Sequence, residues 1–205
     1  MEFKGEISAN LSFRGREHKQ KNGSHLFPNL IFHYKKMIVI VFGLPGSGKS
    51  YFASRLAKTI DAGYINSDRL RKEMFKRRTY SEQEKAAVYK AMVDKMKEVM
   101  NQNRNLVLDA TFHKNETRKL FILEAEKKGL IFFIEVKADE NIITERLKKE
   151  RPYSEADLEV YKFIWQHYEP MNEPHLVLES TNENIDNMLQ KAVDYLKLKD
   201  DKGAD

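Results

Sequence analysis

The chain has 205 residues, with 36 lysines and arginines against 31 aspartates and glutamates, a net charge of +5, and no cysteine. That length suffices for one domain with a sizeable core. The missing thiols exclude a disulfide framework and a thiolate zinc site and fit a reducing cytoplasm, no apolar run nears the roughly 20 residues of a membrane span, and Met1-Glu2-Phe3-Lys4 lacks the layout of a signal peptide.

Residues 1–36 carry seven of the basic residues and three acids, which leaves 29 basic against 28 acidic residues in the remainder. Any case for nucleic acid must therefore be local. This first segment, rich in Gly, Asn, Ser and Lys, reads as a largely disordered extension. The domain is expected over 37–198, followed by a flexible tail, 199–205.

Met37–Phe42 is an unbroken apolar run suited to a strand buried on both faces. It leads into Gly43-Leu44-Pro45-Gly46-Ser47-Gly48-Lys49-Ser50, which matches the phosphate-loop pattern. Phe52, Leu56 and Ile60 then recur at helical spacing. Strand, glycine loop and helix is the context the motif requires. The glycines let backbone N–H groups wrap phosphate oxygens, and the helix start adds its positive dipole end. Lys49 would reach the β- and γ-phosphates of ATP, and the Ser50 hydroxyl would bind Mg²⁺.

A short strand follows at Gly63–Asn66, then a helix from Asp68 with Leu70, Met74 and Phe75 facing inward. Ser81-Glu82-Gln83-Glu84 reads as a capping box. It opens a long helix with Tyr89, Met92, Val93, Met96, Val99 and Met100 on one face. Leu106–Leu108 is a third strand closing on Asp109. A helix over 114–128 ends at Gly129, and Leu130–Val136 is a fourth strand. A charged helix spans Asp139–Arg151, stopped by Pro152. Ser154 caps another helix running to about Tyr168, whose Tyr161, Trp165 and Tyr168 read as core. His175–Leu178 is a fifth strand, and Asn182 starts a last helix. The alternation predicts an α/β fold: a P-loop NTPase with a five-stranded parallel sheet and helices on both faces.

Residues at strand ends should converge on the loop. Asp68 is placed to accept a proton from an attacking hydroxyl, or else caps its helix. Arg71, one turn on, can hold the acceptor or neutralise a transferring phosphoryl group. Asp109 either holds Mg²⁺, with Ser50, or pairs with Arg71. Arg146 and Arg151 are candidate cations around the transferred phosphate. The run Arg69, Arg71, Lys72, Lys76, Arg77, Arg78 suits either a phosphorylated acceptor or an exposed face. His113 follows the third strand and stands near this region. The six histidines show no metal spacing.

Together the glycine loop, Ile65-Asn66-Ser67-Asp68-Arg69-Leu70-Arg71, Leu108-Asp109-Ala110-Thr111-Phe112 with Arg118, and Glu145–Arg151 resemble the predicted P-loop kinases often named AAA-type ATPase domains. They are similar to the kinase module of polynucleotide 5′-hydroxyl kinases. The resemblance covers about residues 37–180. It implies an ATP- and Mg²⁺-dependent kinase acting on a polynucleotide or small-molecule hydroxyl. In it Asp68 is the base, Arg71, Thr111 and Arg118 stand toward the acceptor, Asp109 supports Arg71 or the metal, and Arg146 and Arg151 are lid arginines. An ATPase without an acceptor and a toxin-like kinase of a cell-wall precursor are the alternative readings.

Overall fold

The computed structural model describes residues 37–126, 130–149, 154 and 156–200. The extension 1–36, Gly129, Arg151, Pro152 and residues 201–205 lie outside the described residues.

Every residue of β1 (Met37–Phe42) is buried, because this apolar strand lies at the centre of the sheet with a parallel neighbour on each edge. The remaining elements are α1 (Lys49–Thr59), β2 (Gly63–Asn66), α2 (Ser67–Met74), α3 (Glu82–Asn101), β3 (Leu106–Asp109), α4 (Asn115–Ala125), β4 (Leu130–Lys137), α5 (Glu140–Leu147), α6 (Leu158–Gln166), β5 (Leu176–Glu179) and α7 (Ile185–Asp200). The five strands are parallel in the order β2-β3-β1-β4-β5. The chain winds outward on both sides of β1, so the crevice for a ligand opens at its carboxyl end, where the glycine loop begins.

Alternation along β1 divides the core. Ile38, Ile40 and Phe42 join Met92, Met96 and Met100 of α3 and Phe121 and Ala125 of α4 in one cluster. On the other face α1 packs against α7, burying Phe52, Leu56, Met188, Val193 and Leu196. A fully buried side chain of this kind contributes about 1.5–3 kcal/mol. The α3 methionines are thus core.

Three expectations fail locally. Met74 ends α2 and is exposed, since the helix stops before its side chain can reach the core. α6 is capped by Asp157, which accepts from the Val160 N–H, and starts later than Ser154 implied. Trp165 on α6 is 61% exposed and is not core, although Tyr161 on the same helix is buried.

Candidate active site

The loop between β1 and α1 needs glycine where the chain is tightest. Gly43 has φ 144°, and a Cβ there would stand 2.3 Å from the Val136 carbonyl oxygen. Gly48, at φ 91°, is the N-cap of α1, and a Cβ there would meet Ser180 Oγ at 2.7 Å. No acidic residue occupies the first turn of α1, so its positive end is not offset by the chain itself. Lys49 Nζ folds back to donate to the Leu44 carbonyl at 3.3 Å. N–H groups at a helix start under a lysine ammonium form a cradle for a phosphate chain.

Sheet register brings three further residues beside this cradle. Asp109 pairs with Val41 across one edge of β3 and with Asn66 across the other. Its Oδ2 accepts from Asn66 Nδ2 at 2.6 Å and from the Tyr64 hydroxyl at 2.7 Å. Asn66 Nδ2 also reaches Ser50 Oγ at 3.4 Å. Asp109 is fully buried, both these donors are neutral, and its Oδ1 has no hydrogen-bond partner. Burial, then the charge of Asp109 and the bond to it, push the Tyr64 phenol well up, so it stays a donor. A buried carboxylate oxygen without a partner is costly. Next to a hydroxyl on the phosphate loop, the all-oxygen donor set fits Mg²⁺, which binds through one or two protein oxygens plus phosphates and water.

Asp68 lies in the first turn of α2 but is not its cap. Asn66 is the N-cap, its side chain accepting from the Arg69 N–H. Asp68 and Arg71 stand near the half-buried Tyr89, whose hydroxyl is bonded by the Thr111 side chain and the Phe112 backbone. Burial, first, and the nearby charge of Asp68 raise the Tyr89 phenol. Thr111 is thus in the Asp68 neighbourhood.

Arg71 departs from expectation. It does not pair with Asp109: its Nη1 donates to Glu84 Oε1 at 2.6 Å, with both side chains buried, and Tyr80 lies under its guanidinium at 4.8 Å. It ties α2 to α3 in place of presenting an open cation to an acceptor. Glu84 in turn leaves the expected capping box half made. Its N–H goes to Ser81 Oγ, while its carboxylate takes Arg71, the Thr79 N–H and hydroxyl, and the Tyr80 N–H. Burial alone would raise this carboxyl; the bonds from Thr79 and Arg71 outweigh it and lower it to about 2.

Arg118 is turned inward. It is buried on α4, where it donates to the carbonyls of Phe112, Glu169 and Pro170 and to the Asn115 side chain. It bonds the carbonyl of Phe112, which sits at φ 46°, a strained value for a bulky residue, and it faces these carbonyls and not solvent. Arg118→Ala leaves those buried carbonyls without their donor. The expected loss is about 3 kcal/mol, or roughly 6–12 °C in melting temperature, readable by calorimetry.

Arg146 reaches the phosphate loop, but from outside. Its Nη1 donates to the carbonyls of Gly46 and Ser47 and to Ser180 Oγ, and its Nη2 to the Thr181 carbonyl and Asn182 Oδ1. It braces the loop against the turn after β5. Arg151 lies outside the described residues.

His113 sits in the β3–α4 turn with its Nδ1 buried and unpartnered. Burial, then the cations of Lys114 and Lys85, lower its pKa from 6.5 to about 4. As pH falls between those values the unfolded chain takes the proton first and stability drops; Glu84 adds a second loss from 4.5 down to about 2. Melting temperature against pH should fall in those two stages, and His113→Gln should remove only the first.

Tyr64, Asn66 and Glu84 were missed as site residues. Asn66 and Tyr64 stood next to Asp68 in sequence, but only strand pairing aims them at Asp109.

The sequence profile of the AAA domain family matches residues 38–171. No curated protein matches the sequence. Among solved structures, the chain resembles a gluconokinase from Sinorhizobium meliloti at 14% identity, covering 80% of this chain and 93% of that one with a TM-score of 0.62. It resembles the APS kinase of Mycobacterium tuberculosis, solved with AMPPNP and APS, at 19% identity, 80% and 99% coverage and a TM-score of 0.62. It also resembles Kti12 of Chaetomium thermophilum, solved with ADP-AlF3, at 20% identity, 77% and 97% coverage and a TM-score of 0.60. These likenesses establish the P-loop kinase type of fold. With the profile spanning well over half of its length, the chain belongs to the AAA domain family.

Proposed function

We propose that this protein is an ATP- and Mg²⁺-dependent kinase that phosphorylates a hydroxyl. The observation that carries this reading is the link from the phosphate loop to a buried carboxylate: Ser50 Oγ, Asn66 and Asp109, with Asp109 Oδ1 unpartnered. The backbone of Gly46–Ser50 and the Lys49 ammonium would cradle the β- and γ-phosphates. Ser50 and Asp109 would hold Mg²⁺, which when bound neutralises charge on the phosphate oxygens. Asp68 takes the proton of the acceptor hydroxyl as its oxygen bonds to the γ-phosphorus. The bond from that phosphorus to the bridging oxygen breaks, and ADP leaves. Arg146 keeps the loop in shape, and Arg151 remains a candidate lid cation.

We infer that it works on ATP in the cytoplasm, a reading supported by a chain without cysteine. No helix among the described residues is long and apolar enough to cross a membrane. The test is transfer of γ-³²P from ATP to sugars, nucleosides, aminoglycosides and 5′-hydroxyl oligonucleotides. Label should reach one acceptor class and vanish with Lys49→Ala, which should weaken ATP binding and leave the melting temperature unchanged. Release of free phosphate with no labelled acceptor would overturn the kinase reading in favour of an ATPase.

A further inference from the structure

A cleft of about 760 Å³ opens beside the phosphate loop, between the carboxyl end of β4, α5, α6 and the segment entering β5. That volume suits a sugar- or nucleoside-sized molecule. Leu44 and Ser47 form its inner wall, and Leu44 is the residue whose carbonyl takes the Lys49 ammonium. The cleft therefore adjoins the position that lysine would give to a terminal phosphate.

Two features of the lining are unexpected for a kinase core. The first is Glu135, a buried carboxylate on β4 beside Phe42. It accepts from the Tyr168 hydroxyl at 2.5 Å, and it pairs with Lys137 Nζ at 3.2 Å and with His175 Nε2 at 3.5 Å. Burial and the bond to Glu135 push the Tyr168 phenol well up, so it remains a donor. Side chains on three segments thus hold one carboxylate in place at the cleft wall. The second feature is the aromatic wall of Tyr161 and Trp165 on α6, with Tyr161 buried and Trp165 largely exposed. Among the described residues no arginine lines the cleft, and the carboxylates of Glu135 and Glu140 outnumber the Lys137 ammonium. This described lining does not suit a polyanion. Aromatic faces beside a fixed carboxylate suit a ring with an apolar face and an edge of O–H or N–H donors.

We propose that this cleft holds the ring of the phosphate acceptor, that the reacting hydroxyl extends out of the cleft past Leu44 and Ser47 toward Lys49 and Asp68, and that the ring is hydroxylated and uncharged or carries an amine. Its flat face lies on Trp165 and Tyr161, and its O–H or N–H groups donate to Glu135. The assignment rests on the kinase reading above but is testable without turnover, because Trp165 is the only tryptophan of the chain.

The experiment is titration of Trp165 emission, with and without ADP and Mg²⁺, by glucose, glucosamine and kanamycin. Glucose 6-phosphate, gluconate and a 5′-hydroxyl RNA oligomer are the anionic counterparts. A saturable change is expected with at least one of the first three and with none of the anions. Glu135→Gln should weaken it at least about tenfold, as expected for loss of a charge-assisted bond. No saturable change with the first three, or equal binding of the anions, overturns the proposal. Should Glu135→Gln fail to fold, Trp165→Ala decides, since its exposed side chain is dispensable for the core. Affinity for the same probes by calorimetry should fall; unaltered affinity overturns the proposal. Phosphoryl transfer to one of these molecules with Trp165 emission unmoved removes the cleft and keeps the kinase. Saturable binding without any transfer keeps the cleft as a binding site and removes the kinase, and with it the acceptor role.

Discussion

Asp109→Asn is expected to lower phosphoryl transfer by about 10²–10³-fold, the range seen when one preorganised electrostatic group of a transition state is removed. The protein should be as stable as before, or more so. Asp109 is fully buried, its two donors are neutral, and Oδ1 has no partner, so the charge is a cost to the fold that only a cation would offset. Asparagine keeps the shape and an oxygen for Tyr64 and Asn66 while removing that charge. Tyr64→Phe is the milder companion. It removes one donor from Oδ2 and should raise the Mg²⁺ needed for half-maximal transfer by about 10–100-fold, as for a residue that orients a metal ligand. The measurements are transfer rate against Mg²⁺ concentration and the melting temperature in chelator. A large fall in melting temperature with an unmoved Mg²⁺ dependence would make Asp109 a structural residue and end the metal assignment.

Asp68→Ala is expected to cut transfer by about 10²–10⁴-fold, the contribution of a positioned general base, while ATP still binds. The α2 cap survives the change, because Asn66, not Asp68, makes it. The interaction of Asp68 with the helix dipole, about 0.3–1 kcal/mol, is one part of the stability cost. Calorimetric titration with a non-hydrolysable ATP analogue, alongside the transfer assay, separates the two quantities. Transfer at the wild-type rate would rule out the base assignment. Weakened nucleotide binding would move Asp68 to the phosphate or metal side of the site.

The parts legible in the chain itself are those whose cause is local. Met37–Phe42 is apolar throughout and can only be a doubly covered strand. The glycines at 43, 46 and 48 mark a backbone that curls with positive φ. The alternation of short apolar runs with amphipathic helices leads to a parallel sheet whose ligand edge must lie at the strand ends, where Asp68 and Asp109 were sought. Each of these conclusions depends on neighbours within a turn of helix or one strand.

The partners of the charged side chains were settled by tertiary structure, because a buried charge takes whichever counter-group the packing brings within reach, at any sequence distance. Asp109 was open to Mg²⁺ or to Arg71, and β3, lying beside β2, turns it to Tyr64 and Asn66. Arg71 is left to Glu84, which the local pattern had assigned to a helix cap. Arg118 points inward because the segment at 169–170 brings two carbonyls across 51 and 52 residues of chain. Arg146 finds the glycine loop 99 and 100 residues away. Trp165 stays outside since α6 buries only Tyr161, and Glu135, the acid of a mostly apolar strand, is tolerated because Tyr168, Lys137 and His175 meet on it. The sequence by itself determined the fold and the phosphate loop, through local periodicity and backbone geometry. Which carboxylates are left to meet a metal or an acceptor was decided by long-range packing, the only level at which their competing partners are present.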